Sequence, residues 1–166
     1  MTARDIKPLK LIAFDAEDLA ILAAHLQDAV VKVSEITFLK AERRFALVLN
    51  RFDWADALGP GPKSRLRGFV RRQTGLRFEH VGNVKLAGID RTDSKQILSL
   101  LTLQFEPGSE PPEGRIILNF AGGGMIRLDV DCVEAEMRDL GAAWQTLSKP
   151  SHPDGRPDDA PDDGTV

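Results

Sequence analysis

The chain has one cysteine, no tyrosine and no long apolar run, and each gap removes a class of explanation. With Cys132 alone among 166 residues, no internal disulfide forms and a reducing compartment is expected. Eight Phe and two Trp, with no Tyr, leave few platforms for stacking bases or sugars, so nucleic acid is a disfavoured partner. No stretch approaches the roughly 20 apolar residues of a membrane-spanning helix. The opening Met1-Thr-Ala-Arg-Asp-Ile-Lys-Pro8 has no apolar core of signal-peptide length. A cytoplasmic protein without a membrane partner is therefore expected. Familiar chemistry is missing as well: there is no Gly-x-Ser-x-Gly, no Gly-x-Gly-x-x-Gly, and no His or Cys pair at metal-ligand spacing. No catalytic residue, metal site or cofactor is assigned.

What is present is strand alternation. Phe45-Ala-Leu-Val-Leu-Asn50 and Met125-Ile-Arg-Leu-Asp-Val-Asp-Cys132 alternate apolar and polar side chains, the pattern of an antiparallel sheet with one face buried. The 42% hydrophobic and 28% charged content is ordinary for a globular domain, and the length suits one core. The net charge of −3 is carried by residues 150–166, where five Asp face one Arg. The expected organisation is one domain over 1–149 and a disordered acidic tail over 150–166.

Leu9–Asp15 reads as a strand, and Asp15 then offers an N-cap to an amphipathic helix over 16–30, with Leu19, Leu22, Leu26 and Val30 on one stripe. Strands are expected at 31–39 and 44–54, with a phase break near Asn50-Arg51. After the Gly59-Pro-Gly-Pro62 loop, a meander of 65–72, 76–81 and 84–89 is expected, turning at Thr74-Gly75 and Gly82-Asn83. A strand at 96–105 follows, then a hairpin of 115–121 and 125–132 around Gly122-Gly123-Gly124. Val133, Met137 and Leu140 are spaced for a short helix over 132–140. The fold class expected is α+β, mainly an antiparallel barrel or two-layer sandwich with one N-terminal and one short C-terminal helix. The alternatives are a pleckstrin-homology-like barrel or two pseudo-duplicated halves. The second rests on an echo of Leu9–Asp15 in Val84–Asp90 and of Leu47–Asn50 in Ile116–Asn119.

Lys63, Arg65, Arg67, Arg71, Arg72 and Arg77 put six cations into residues 63–77 with no acid among them. On a strand, Arg65, Arg67 and Arg71 share one face and are expected to project into solvent. Such a ladder suits an anion or an acidic partner, whereas the plainer reading is a charged strand face that resists aggregation. Arg65, Arg67, Arg71 and Arg72 are the residues assigned to anion or partner binding. The remaining polar features have plain readings. Gly122–Gly124 is a hairpin turn rather than a phosphate loop, because a strand follows it. Asp129 and Asp131 fall on a solvated face, His25 borders the apolar stripe of the helix, His80 reads as a satisfied, partly buried residue, and Cys132 reads as an inert core thiol.

The runs Leu9–Asp15, His25–Val33, Glu42–Trp54 and Phe120–Cys132 together resemble an uncharacterised alphaproteobacterial family, domain of unknown function 2948, over about residues 8–153. The resemblance implies a single-domain bacterial cytoplasmic protein and carries no catalytic residue with it. The function expected is a small non-enzymatic binding or assembly module acting through a protein partner or a homodimer. A small enzyme without a short motif is one alternative. A binder of a phosphorylated or nucleic-acid ligand through residues 63–77 is the other.

Overall fold

The computed structural model describes residues 8–52, 69–141 and 144–146. The described residues hold ten antiparallel strands, one α-helix and a 3-10 turn at Lys40–Glu42: β1 (Lys10–Ala13), α1 (Ala16–Leu26), β2 (Val30–Leu39), β3 (Arg44–Phe52), β4 (Phe69–Phe78), β5 (Val81–Ala87), β6 (Ile97–Pro107), β7 (Gly114–Phe120), β8 (Met125–Val130), β9 (Ala135–Asp139) and β10 (Trp144–Thr146). The fold is α+β and mostly sheet. Strand order is β1-β9-β4-β3-β2-β6-β7-β8-β5, with β10 on β4. The two ends of that path do not pair, so the sheet is sandwich-like rather than a closed barrel.

Local signals explain the elements near both ends of the chain. The Asp15 side chain accepts from Asp18 N at 2.8 Å, and the Asp18 side chain accepts from Phe14 N at 3.0 Å, a reciprocal cap that starts α1. Leu19, Leu22 and Leu26 are buried, and the helix ends four residues before the expected boundary because Val30 already pairs with β3 and β6. The Gly122-Gly123 turn, with φ of 87° and 97°, joins β7 to β8 as expected. Inward side chains from both halves form one core: Phe45, Leu47 and Leu49 meet Leu118, Ile126 and Leu128.

Three expectations are corrected. Residues 135–139 are a strand, not part of a helix over 132–140. Val133 and Met137 also fit a strand that alternates through Ala135, Met137 and Asp139, and Leu140, which the helix needed, falls on the other face and is exposed. Pairing with β4 on one side and β1 on the other decides between them. Second, 69–78 is one continuous strand without a turn at Thr74-Gly75. Gly75 stays extended, paired with Val48 and Arg138, and the Leu140 side chain lies over it. Third, the next turn comes at Glu79-His80, where His80 takes φ 60°, and Gly82-Asn83 falls inside β5 at a register shift. Residues 53, 54 and 65–68 of the expected strands, and the acidic 150–166 segment, lie outside the described residues.

Gly114 opens β7 where only a hydrogen fits: a Cβ there would lie 2.4 Å from Glu106 O and 2.6 Å from the Phe105 ring. Gly114→Ala is expected to cost about 1–3 kcal/mol through forced displacement of the β6–β7 pair. Urea denaturation checks this, with an unchanged slope and a lower midpoint.

Candidate functional site

Where β3 ends and β4 begins, the two strands bring four cross-strand side chains together: Arg51 opposite Arg72, and Phe52 opposite Arg71. Alternation divides them between two faces. Arg51 follows Leu47 and Leu49 inward, and Arg72 precedes Thr74, Leu76 and Phe78 inward, so both guanidinium groups enter the core. There they meet Asp139 of β9. Arg51 Nε and one of its terminal nitrogens each donate to the Asp139 carboxylate at 2.9 Å, Thr74 Oγ1 donates at 2.8 Å and Leu9 N at 2.7 Å. Arg72 Nε lies 3.9 Å from the same carboxylate. Burial alone would push Asp139 up. The hydrogen bonds from Arg51, Leu9 and Thr74, with the Arg51 charge, outweigh burial and hold it below the ordinary carboxylate range.

Four donors fill the acceptor positions of one carboxylate. Asp139 therefore has nothing to offer Arg71, which lies on the outer face of the sheet. The expectation that Arg71 projects into solvent is corrected: the residue is only 8% exposed. It donates to Asn50 O at 3.3 Å, and it has no carboxylate partner among the described residues. Burial lowers the Arg71 pKa from its ordinary value, because removing a guanidinium from water disfavours its charge. Arg65 and Arg67 lie outside the described residues. Arg77, further along the same face, is spent on Glu136 at 2.7 Å and Glu79 at 3.4 Å.

The other sequence candidates fall elsewhere. Asp129 and Asp131 line a broad open trough of about 670 Å³ with Gly82, Asn83 and Arg115. Both are engaged there. Asp131 accepts from both terminal nitrogens of Arg43 at 2.7 and 3.2 Å, which holds its pKa below the usual range, and Asp129 lies 3.4 Å from Arg127 Nε. A carboxylate held at two points by a guanidinium suits a fixed anion better than a proton acceptor. His80 sits in a turn with Nε2 2.7 Å from Glu134 Oε1, and His25 is half-buried in the last turn of α1. Cys132 is half-buried rather than in the core, and desolvation pushes its thiol up, away from the reactive thiolate. No group of three or more potential metal ligands comes together among the described residues.

The comparisons with known proteins bear on the whole of this architecture. A family model described as "Protein of unknown function (DUF2948)" matches residues 9–152. The chain belongs to that family. The match spans every described strand and the helix, so the arginine and aspartate positions above all lie inside the family domain. No curated protein and no solved structure matches the chain.

Sequence reasoning missed Arg51 and Asp139, which are 88 positions apart. One signal was available for Arg51: a charged residue in phase with Leu47 and Leu49 is an inward charge that demands a partner. Asp139 gave none, because a helix reading of 132–140 hides its phase.

Proposed function

We propose that this protein is a non-enzymatic binding module that captures an anionic group, a carboxylate or phosphate carried by a partner, on the outer face of the β3–β4 strand ends. Arg71 is its central residue, and Arg65 and Arg67, in phase with it along the sequence, extend the site. The observation that carries this reading is a buried guanidinium with five N–H donors and a single backbone carbonyl as its partner among the described residues. Buried charges are ordinarily neutralised by an opposite charge. Asp139, the carboxylate at this strand end, is saturated by other donors, so an incoming anion supplies the missing charge. Arg72, on the opposite face, holds the strand end in place with Arg51 and Asp139.

The expected anion carrier is a protein partner or a second copy of the chain in a bacterial cytoplasm. An origin in two related halves accompanies this reading. The sequence echoes fall on β1 and β5, at the two ends of the strand path, and on β3 and β7, each one strand away from the β2–β6 junction.

Titration of the ¹⁵N-labelled protein with inorganic phosphate, and separately with a short oligoglutamate, tests the function. A saturable shift of the Arg71 Nε–H resonance is expected from at least one of them. Arg71→Gln is expected to weaken that binding about 10- to 100-fold, the value of a hydrogen bond to a charged group. The variant removes a desolvated charge and orphans no carboxylate, so its melting temperature is expected to hold or rise. No saturable response to either probe, or equal binding by Arg71→Gln, overturns the proposal.

A further inference from the structure

A second feature stands apart from the arginine strand. β2 pairs with β6 only over Val30–Lys32, and its pairing with β3 shifts register between Val31 and Ile36. The second half of β2 thus leaves its neighbour in the strand path, and β5, at the end of that path, approaches its inner side. Between them lies a slot of about 110 Å³, open on one side to solvent and lined by Val33, Ile36 and Phe38 of β2, Phe45 of β3, and Val84 and Leu86 of β5. Ile89 and Arg91 complete the lining from the β5–β6 connection.

We infer that this slot binds a short aliphatic monocarboxylate, its chain between β2 and β5 and its carboxylate on Arg91. Every lining side chain but one is apolar, so a hydrocarbon chain seated in the slot buries apolar surface on both sides. A dry apolar cavity of roughly 150 Å³ accepts a benzene-sized guest, so this slot suits a chain of about four carbons beyond the carboxylate. The exception is Arg91, which is exposed and carries one positive charge without an ion pair among the described residues. The two acids beside it are turned to their own loop. Asp90 accepts from Thr92 N at 3.0 Å and Thr92 Oγ1 at 2.6 Å, and Asp93 accepts from Lys95 N at 3.2 Å. Arg91 is therefore left to a ligand, and its planar fork matches a carboxylate through two parallel hydrogen bonds.

The test is a methyl-detected NMR titration of the full chain with butanoate, pentanoate, hexanoate and hexanol. Millimolar binding is expected for molecules of this size. Shifts are expected at the methyls of Ile36, Val84, Leu86 and Ile89, with affinity rising about fourfold per methylene until the slot is full. Arg91→Gln is expected to weaken hexanoate about tenfold or more while leaving hexanol unchanged, because only the acid uses the guanidinium. Arg71→Gln is expected to leave hexanoate binding unaltered, which separates this slot from the anion site on the β3–β4 ends. No shift at the slot methyls, affinity independent of chain length, or equal hexanoate binding by Arg91→Gln overturns the inference.

Discussion

Asp139→Asn is expected to lower stability by about 3–5 kcal/mol, because it leaves Arg51 buried against a neutral amide. Arg51 is 3% exposed at its side chain and the Asp139 side chain is fully buried, so water does not replace the lost charge. In a domain of this size the shift corresponds to roughly 10 °C in melting temperature. The effect depends on pH in a defined direction. The folded-state pKa of Asp139 is depressed, so its contribution is complete above the unfolded value of about 3.9 and disappears as pH falls through the folded value. The native protein is therefore expected to lose stability steeply below about pH 4, and the variant to show a flatter acid limb over that window. Chemical denaturation from neutral pH downward measures both. Arg51→Met combined with Asp139→Asn is expected to cost less than the sum of the single changes, since each removes the group that the other leaves stranded. A loss below about 1 kcal/mol for Asp139→Asn shows that the carboxylate does not anchor the strand ends.

Phe78→Ala is expected to have an effect of the same order, about 3–5 kcal/mol, through a different mechanism. Phe78 is fully buried on β4, opposite Phe45 of β3 on one side and Ala135 of β9 on the other. Its ring centroid lies 6.4 Å from that of Phe45. Truncation removes the transfer free energy of the ring and leaves a cavity that paired strands on both sides cannot collapse into. Phe78→Leu is expected to restore most of the loss, as a substitution closer in volume. Urea unfolding distinguishes the cases: the midpoint falls while the slope holds, whereas a changed slope points to altered compactness. A Phe78→Ala midpoint within error of the native one contradicts the packing described here.

How much of this was legible in the chain depended on whether the deciding contact was local. The Asp15 cap and α1, β3 with its alternating Phe45–Asn50, and the β7–β8 hairpin around its glycines are set by neighbours within a few positions, and periodicity found each. The arginine-rich segment was visible as composition, and alternation separated Arg72 from Arg71, yet the burial of Arg71 could not be read from either. Alternation gave the face of Arg71 but not its solvent access, which depends on what packs against that face.

The sequence by itself determined the α+β class, the N-terminal helix, most strand positions and the cationic character of residues 63–77. The tertiary structure decided the rest. Residues 135–139 became a strand because β1 and β4 flank them with unpaired backbone groups, a demand that a helical spacing of Val133, Met137 and Leu140 cannot outweigh. Residues 69–78 ran through Gly75 without turning because β3 and β9 pair with them along both edges. The Arg51–Asp139 pair formed across 88 positions because two strands from distant parts of the chain end at the same point of the sheet. Local propensity selects an element from its neighbours in sequence, whereas the partners of a buried charge or an unpaired edge are chosen only when the sheet assembles.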